Sequence, residues 1–220
     1  MIPTLTLASN SPRRKELLAL GGQRFNVMAA EINEDPVPGE EPRPYVQRLA
    51  DEKAQAVAAS LGGREGLVLA ADTTVVYDGH IVGKPQDAEE ARSMLRSLRG
   101  KEHTVFTAIT VTRTSDGARL TDLAETTVPM RDYSDEEIEA YVATGDPLDK
   151  AGAYAIQHAG FHPVAVMTGC LANVVGLPLC HLKRTMMRLD LAFEADLPSA
   201  CQAHFAYDCP VSADILAGRQ

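Results

Sequence analysis

The chain has 220 residues, 45% hydrophobic and 23% charged, enough apolar material for one sizeable core or two tightly joined lobes. Its 30 acidic against 21 basic side chains leave a formal charge of −9, which argues against general binding to nucleic acid or to an anionic membrane and favours a small anionic ligand wherever basic residues gather. No signal-peptide pattern and no run long enough to span a membrane is seen, so a cytoplasmic protein is expected, and the four cysteines (Cys170, Cys180, Cys201, Cys209) form no CxxC pair and read as reduced thiols, with a Cys201–Cys209 bridge the lesser alternative.

Leu5 to Ala8 reads as a short buried strand. Ser11 then caps a helix with Pro12 at its first position, running to about Leu20 and ended by Gly21 and Gly22. A helix N-terminus prefers acidic residues, yet this one carries Arg13, Arg14 and Lys15. Free N–H groups beside two guanidinium forks make a site for an anion such as phosphate, while a solvated basic turn paired to carboxylates explains the turn equally well. Phe25 to Ala29 is a second strand, followed by an acidic loop, Glu31 to Asp35. Pro44 opens a helix whose apolar stripe is Val46, Leu49, Ala50, Val57 and Leu61. Lys53 lies in the middle of that stripe, where an ammonium is expensive unless it reaches water or an anion, and an inward, functional lysine is expected.

Leu67 to Ala71 is a continuous apolar run, the mark of a strand covered on both faces. It leads into Asp72, Thr73 and Thr74 before Val75 to Tyr77 resume the strand pattern, with a hairpin turn at Asp78-Gly79 and then Gly83-Lys84-Pro85. A carboxylate inside a buried element needs a cation, hydrogen bonds or a metal, so Asp72 is a candidate functional group. Asp87 and Glu90 start a helix stopped by Gly100; Val105 to Arg113 and Ala118 to Met130 form two long strands; Ser134 and Glu137 form a capping box for a helix to Thr144. Val164 to Met167 and Leu171 to Val175 are each expected as a short strand, and a helix runs from about Pro178 to Leu189. Residues 195–220 read as a tail, partly packed or mobile. Cations spread along the chain suit a polyphosphate, and two carboxylates suit a divalent metal and an attacking water, which together are what phosphoanhydride hydrolysis requires.

Ser9-Asn10-Ser11-Pro12-Arg13-Arg14, Ala71-Asp72-Thr73, Gly83-Lys84-Pro85, the segment from Asp149 to Gln157 and Asn173-Val174-Val175-Gly176-Leu177-Pro178-Leu179 resemble, in order, the motifs of the Maf family of nucleoside triphosphate pyrophosphatases. The resemblance covers about residues 3–190, so the chain is expected to divide into a Maf-like domain, 1–190, and a C-terminal extension, 191–220. It implies an α/β fold, a mixed twisted sheet with flanking helices and two lobes around a central cleft like that of inosine triphosphate pyrophosphatases. It also implies a Mg²⁺ or Mn²⁺ cofactor, often a homodimer, and conversion of a nucleoside triphosphate and water to the monophosphate and pyrophosphate. By resemblance, Asp72 is the proton acceptor and Glu34 joins it on the metal side; Arg14, Lys53 and Lys84 handle phosphate; Arg13, Thr73 and Gln157 set base preference; and Ser9 contacts substrate. One branch of the family, preferring 7-methyl-GTP, carries an aromatic before the arginine, a glutamine after the aspartate and a glutamate in place of Gln157. This chain is similar to the dTTP/UTP branch. It departs from the usual pattern at His158, where members usually carry glycine, and at Gly169 to Ala172, where they carry an acidic-aromatic step. The other readings are a house-cleaning enzyme for modified or purine nucleotides, or a nucleotide-binding regulator of cell division.

Overall fold

The computed structural model describes residues 3–219. Strands β1 (Leu5–Leu7), β2 (Phe25–Val27), β3 (Leu67–Tyr77), β4 (His80–Val82), β5 (Glu102–Arg113) and β6 (Arg119–Pro129) form one open mixed sheet in the order β2-β1-β3-β5-β6, with β4 paired to β3. β1 is parallel to both β2 and β3, whereas β3, β5 and β6 run antiparallel in long register. The hairpin between β3 and β4 turns on Asp78 at φ 49° and Gly79 at φ 76°, the paired left-handed residues that a tight two-residue hairpin demands.

Helix α1 (Pro12–Ala19) is capped by Ser11, and α2 (Pro42–Ser60) begins two residues before the expected Pro44, because both prolines fit a first turn that needs no N–H donor. The α2 stripe covers one face of the sheet, where Ala54 and Val57 meet Val68 and Ala70. The opposite face carries two successive cores. Leu67, Leu69 and Ala71 pack with α1, α5 (Leu171–Val175) and α6 (Leu179–Met187), and Val75, Val105 and Val128 pack with α3 (Ala88–Leu98) and α4 (Asp135–Val142). Ile156 touches both cores and joins the two lobes.

The two short strands expected at 164–167 and 171–175 are corrected. Residues 171–175 form a helical turn, and Val164 contributes one isolated bridge to Met130. A short apolar run carries no decisive period. Here the outcome is set by buried Asn173, whose Nδ2 donates to Val105 O at 3.0 Å and Thr126 Oγ1 at 2.8 Å, and by Gly176, whose φ of 115° closes the turn. The tail takes the partly packed alternative: α7 (Leu197–Phe205) and α8 (Ser212–Leu216) bury Leu197 and Ile215 against the first core. Cys201 and Cys209 are free thiols, as are Cys170 and Cys180. Among the described residues no helix is long and apolar enough to cross a membrane.

Candidate active site

The site originates in an interruption of strand pairing. β1 ends at Leu7, opposite Leu69, and β3 is paired again on that side only from Val75, opposite Val82 at the end of β4. Because odd-numbered residues of β3 direct their backbone toward this side, Ala71 and Thr73 face a gap in the sheet. The chain leaving β1 turns into α1 there, and a cavity of about 610 Å³ opens over the gap. All nine residues singled out from the sequence line it: Ser9, Arg13, Arg14, Glu34, Lys53, Asp72, Thr73, Lys84 and Gln157.

Asp72 and Thr73, adjacent in sequence, project to opposite faces of β3. Asp72 is 7% exposed and meets Lys53 from α2, with Oδ1 accepting from Nζ at 2.6 Å. Glu34 Oε1 lies 2.8 Å from the same ammonium. The loop carrying Glu34 is held by α2, since Tyr45 donates its hydroxyl to Glu34 O at 2.9 Å and Arg48 donates to Asp35 O and forks onto Glu40. Burial would raise the Glu34 carboxyl, but its hydrogen bond to Lys53, with Lys84 and Arg14 nearby, brings it below its ordinary value.

On the other face Arg14 donates to Gly176 O at 2.9 Å, Ser9 Oγ at 3.3 Å and Thr73 Oγ1 at 3.0 Å. All three acceptors are neutral, so the guanidinium reaches the cavity wall with its charge uncancelled by direct contact. Burial pulls its pKa down, and Asp72 and Glu34 oppose that pull. Thr107 donates its one hydroxyl proton to Asn173 O at 2.9 Å, so it can only accept from Thr73 at 2.9 Å. The Thr73 proton is thereby committed, and its oxygen can offer the cavity only an acceptor. Arg13 is half-buried, while Lys84 and Gln157 are exposed at the mouth.

Two contributors, Tyr45 and Thr107, carry no mark in the sequence. Tyr45 lay unremarked in the first turn of a helix, and Thr107 in an ordinary strand; nothing local marks either. Lys150, within the Asp149 to Gln157 motif, is 8% exposed and clamps the loop before Gln157 by donating to Asp146 Oδ1 at 3.0 Å and Asp149 Oδ1 at 2.6 Å. Tyr154, at the cavity wall, shares a 2.7 Å hydrogen bond with buried His103.

Two carboxylates converge on one cationic position, and among the described residues no cluster of three or more His, Cys, Asp or Glu side chains could enclose a metal. That donor set fits a hard divalent cation bound through one or two carboxylates and completed by phosphate oxygens and water, and it does not fit a soft metal in a closed protein cage.

Fold and site together define an open-sheet α/β protein with a cleft of mixed charge over a gap within the sheet. The chain belongs to the Maf-like protein family, whose profile matches residues 4–189. It is 48% identical over 190 residues to a dTTP/UTP pyrophosphatase of Anaeromyxobacter dehalogenans, covering 86% of this chain and 95% of that protein. A protein of the same name from Geobacter sp. is 49% identical, over 81% of this chain and 92% of its own, and one from Methanosarcina barkeri is 44% identical, over 88% and 98%. A solved protein from Vibrio cholerae, VC0702, aligns at 10% identity with a TM-score of 0.34 over 99% of this chain and 90% of its own, too low a likeness to speak for the fold.

Proposed function

We propose that this protein is a nucleoside triphosphate pyrophosphatase that hydrolyses dTTP and UTP to the monophosphate and pyrophosphate, with its catalytic unit in residues 1–190. The observation that carries the reading is the buried Asp72, set in the middle of a strand and opening onto a cavity that also holds Arg13, Arg14, Lys53 and Lys84. A polyanion supplies what the cations lack, and a carboxylate held at 2.6 Å by Lys53 is oriented for proton transfer. The names borne by relatives at 44–49% identity support the same chemistry.

In this mechanism Asp72 accepts the proton of a water that attacks the α-phosphorus. Arg13, Arg14 and Lys84 bind the departing pyrophosphate, and Lys53 fixes the Asp72 carboxylate. Glu34 and Asp72 would hold Mg²⁺ or Mn²⁺ together with the substrate, and such an ion supplies charge neutralisation at the phosphate oxygens. Thr73, restricted to accepting, receives an N–H such as the imide N3–H of thymine or uracil; cytosine presents only a lone pair at that position. The exposed Gln157 amide both donates and accepts and suits the same base edge.

The test is pyrophosphate release from a panel of nucleotides at equal concentration, with Mg²⁺ or Mn²⁺ and after chelation. Preference for dTTP and UTP is expected, with activity lost on chelation and reduced ~10²–10⁴-fold in Asp72→Asn. Full activity in Asp72→Asn would remove Asp72 as the base, and preference for inosine triphosphate or another purine would replace the substrate assignment.

A further inference from the structure

Residues 191–219 follow the stretch matched by the family profile, and they pack on two helices that meet at the cavity. One attachment is at the far end of α1. Ala195 donates its N–H to Gly21 O at 3.2 Å, and the Phe193 ring lies so near Gly21 that a Cβ there would meet its Cδ1 at 2.5 Å. The second attachment is at the start of α5. The Tyr207 hydroxyl donates to Gly169 O at 2.9 Å, with Met167 O beside it at 3.3 Å. α8 is fixed in turn by Arg184, which forks onto Asp122 of β6 and donates to Ile215 O at 2.8 Å.

These attachments matter because of what the other ends of the two helices do. α1 presents Arg14 in its first turn, and α5 ends at Gly176, whose carbonyl accepts from Arg14 Nε at 2.9 Å. α5 has only five residues, too short to persist without tertiary support. Its spacing from α1 determines where the Arg14 fork points.

We propose that the C-terminal segment is a brace across α1 and α5, and that Phe193 and Tyr207 are positioning residues that keep Arg14 presented to the nucleotide. The inference rests on the function proposed above. Loosening the brace lowers the fraction of molecules in which α1 and α5 are correctly spaced. A substrate that binds only that fraction has its apparent affinity reduced in proportion, while saturating substrate restores the competent state. KM therefore rises and kcat does not fall. General destabilisation acts otherwise, reducing the amount of active enzyme and so the apparent kcat.

The experiment uses the full-length chain with Tyr207→Phe, which removes one oxygen, and Phe193→Ala. Asp214→Ala serves as comparison, since it cuts the contact between Asp214 of α8 and Arg219 beyond it, a contact that involves neither α1 nor α5. Steady-state kinetics with dTTP is combined with hydrogen exchange of peptides spanning 167–177. The expected result for Tyr207→Phe is KM raised by up to about tenfold, the ceiling set by one lost net hydrogen bond, and Phe193→Ala, which loses ring packing against Gly21, raises KM in the same direction; both keep kcat within twofold and show faster exchange in 167–177. Asp214→Ala leaves KM and that exchange unchanged. Folded Tyr207→Phe and Phe193→Ala proteins with wild-type KM and wild-type exchange overturn the brace, as does a loss confined to kcat. If the unmodified protein released pyrophosphate from no nucleotide, the proposed function would fail, and exchange in 167–177 would still decide the brace.

Discussion

Removing Lys53 tests the coupling at the centre of the site. The Lys53 and Asp72 side chains are 10% and 9% exposed, while Glu34 is 56% exposed and able to turn to water. Lys53→Met keeps the aliphatic stem and deletes the charge, leaving Asp72 buried without its cation, a loss of about 4 kcal/mol. Asp72→Asn leaves Glu34 against the ammonium, so the cost is smaller, about 2 kcal/mol, within the range for a buried hydrogen bond to a charged group. The double variant buries no orphaned charge. Its cost is about 3 kcal/mol rather than the sum, a coupling of about 3 kcal/mol. For a chain of this size the single lysine variant then melts roughly 8–16 °C below the parent. Urea unfolding of all four proteins, with pyrophosphate release from dTTP in parallel, measures both sides. Stability is partly recovered in the double variant, whereas activity stays at least ~10²-fold down in all three. Unfolding energies that add within ~0.5 kcal/mol would refute the buried pair as the organising contact.

Two further outcomes are expected. Burial pushes His103 down to about 4 from an ordinary 6.5, and His181 in the same direction, so the native state resists protons that the unfolded chain accepts. Stability is complete above pH 6.5 and declines as the pH falls toward 4, by up to roughly 3 kcal/mol for His103. Urea midpoints across that range measure it, and a slope unaltered in His103→Gln would contradict the assignment. Thr107→Val frees the Thr73 proton to donate into the cavity and narrows the preference for UTP over CTP about tenfold, read as the ratio of kcat/KM values; an unchanged ratio means that Thr73 does not touch the base.

The start of α1 was legible because a serine cap followed by proline is a local signal, and the same holds for the Ser134 capping box and the Asp78-Gly79 turn. Lys53 in an apolar stripe and Asp72 in an apolar run announced themselves by the cost of burying charge, and the structure shows each to be the other's partner. What lay beyond reach was whatever depends on distant contacts. Residues 171–175 carry no decisive period, and buried hydrogen bonds to β5 and β6 made them a helix. The tail has few apolar anchors of its own, and it packs because α1, α5 and α6 offer it a surface.

The sequence by itself determined the local events: helix starts, tight turns, the buried strand and the inventory of cations and carboxylates, each fixed by short-range sterics, capping bonds or the price of desolvation. Tertiary structure alone decided that β1 stops short of β4 and leaves a gap, that neighbours Asp72 and Thr73 serve opposite walls of it, and that Arg14 finds Gly176 across 162 residues. Those outcomes depend on which surfaces meet once the chain is compact, information that no short window of residues contains.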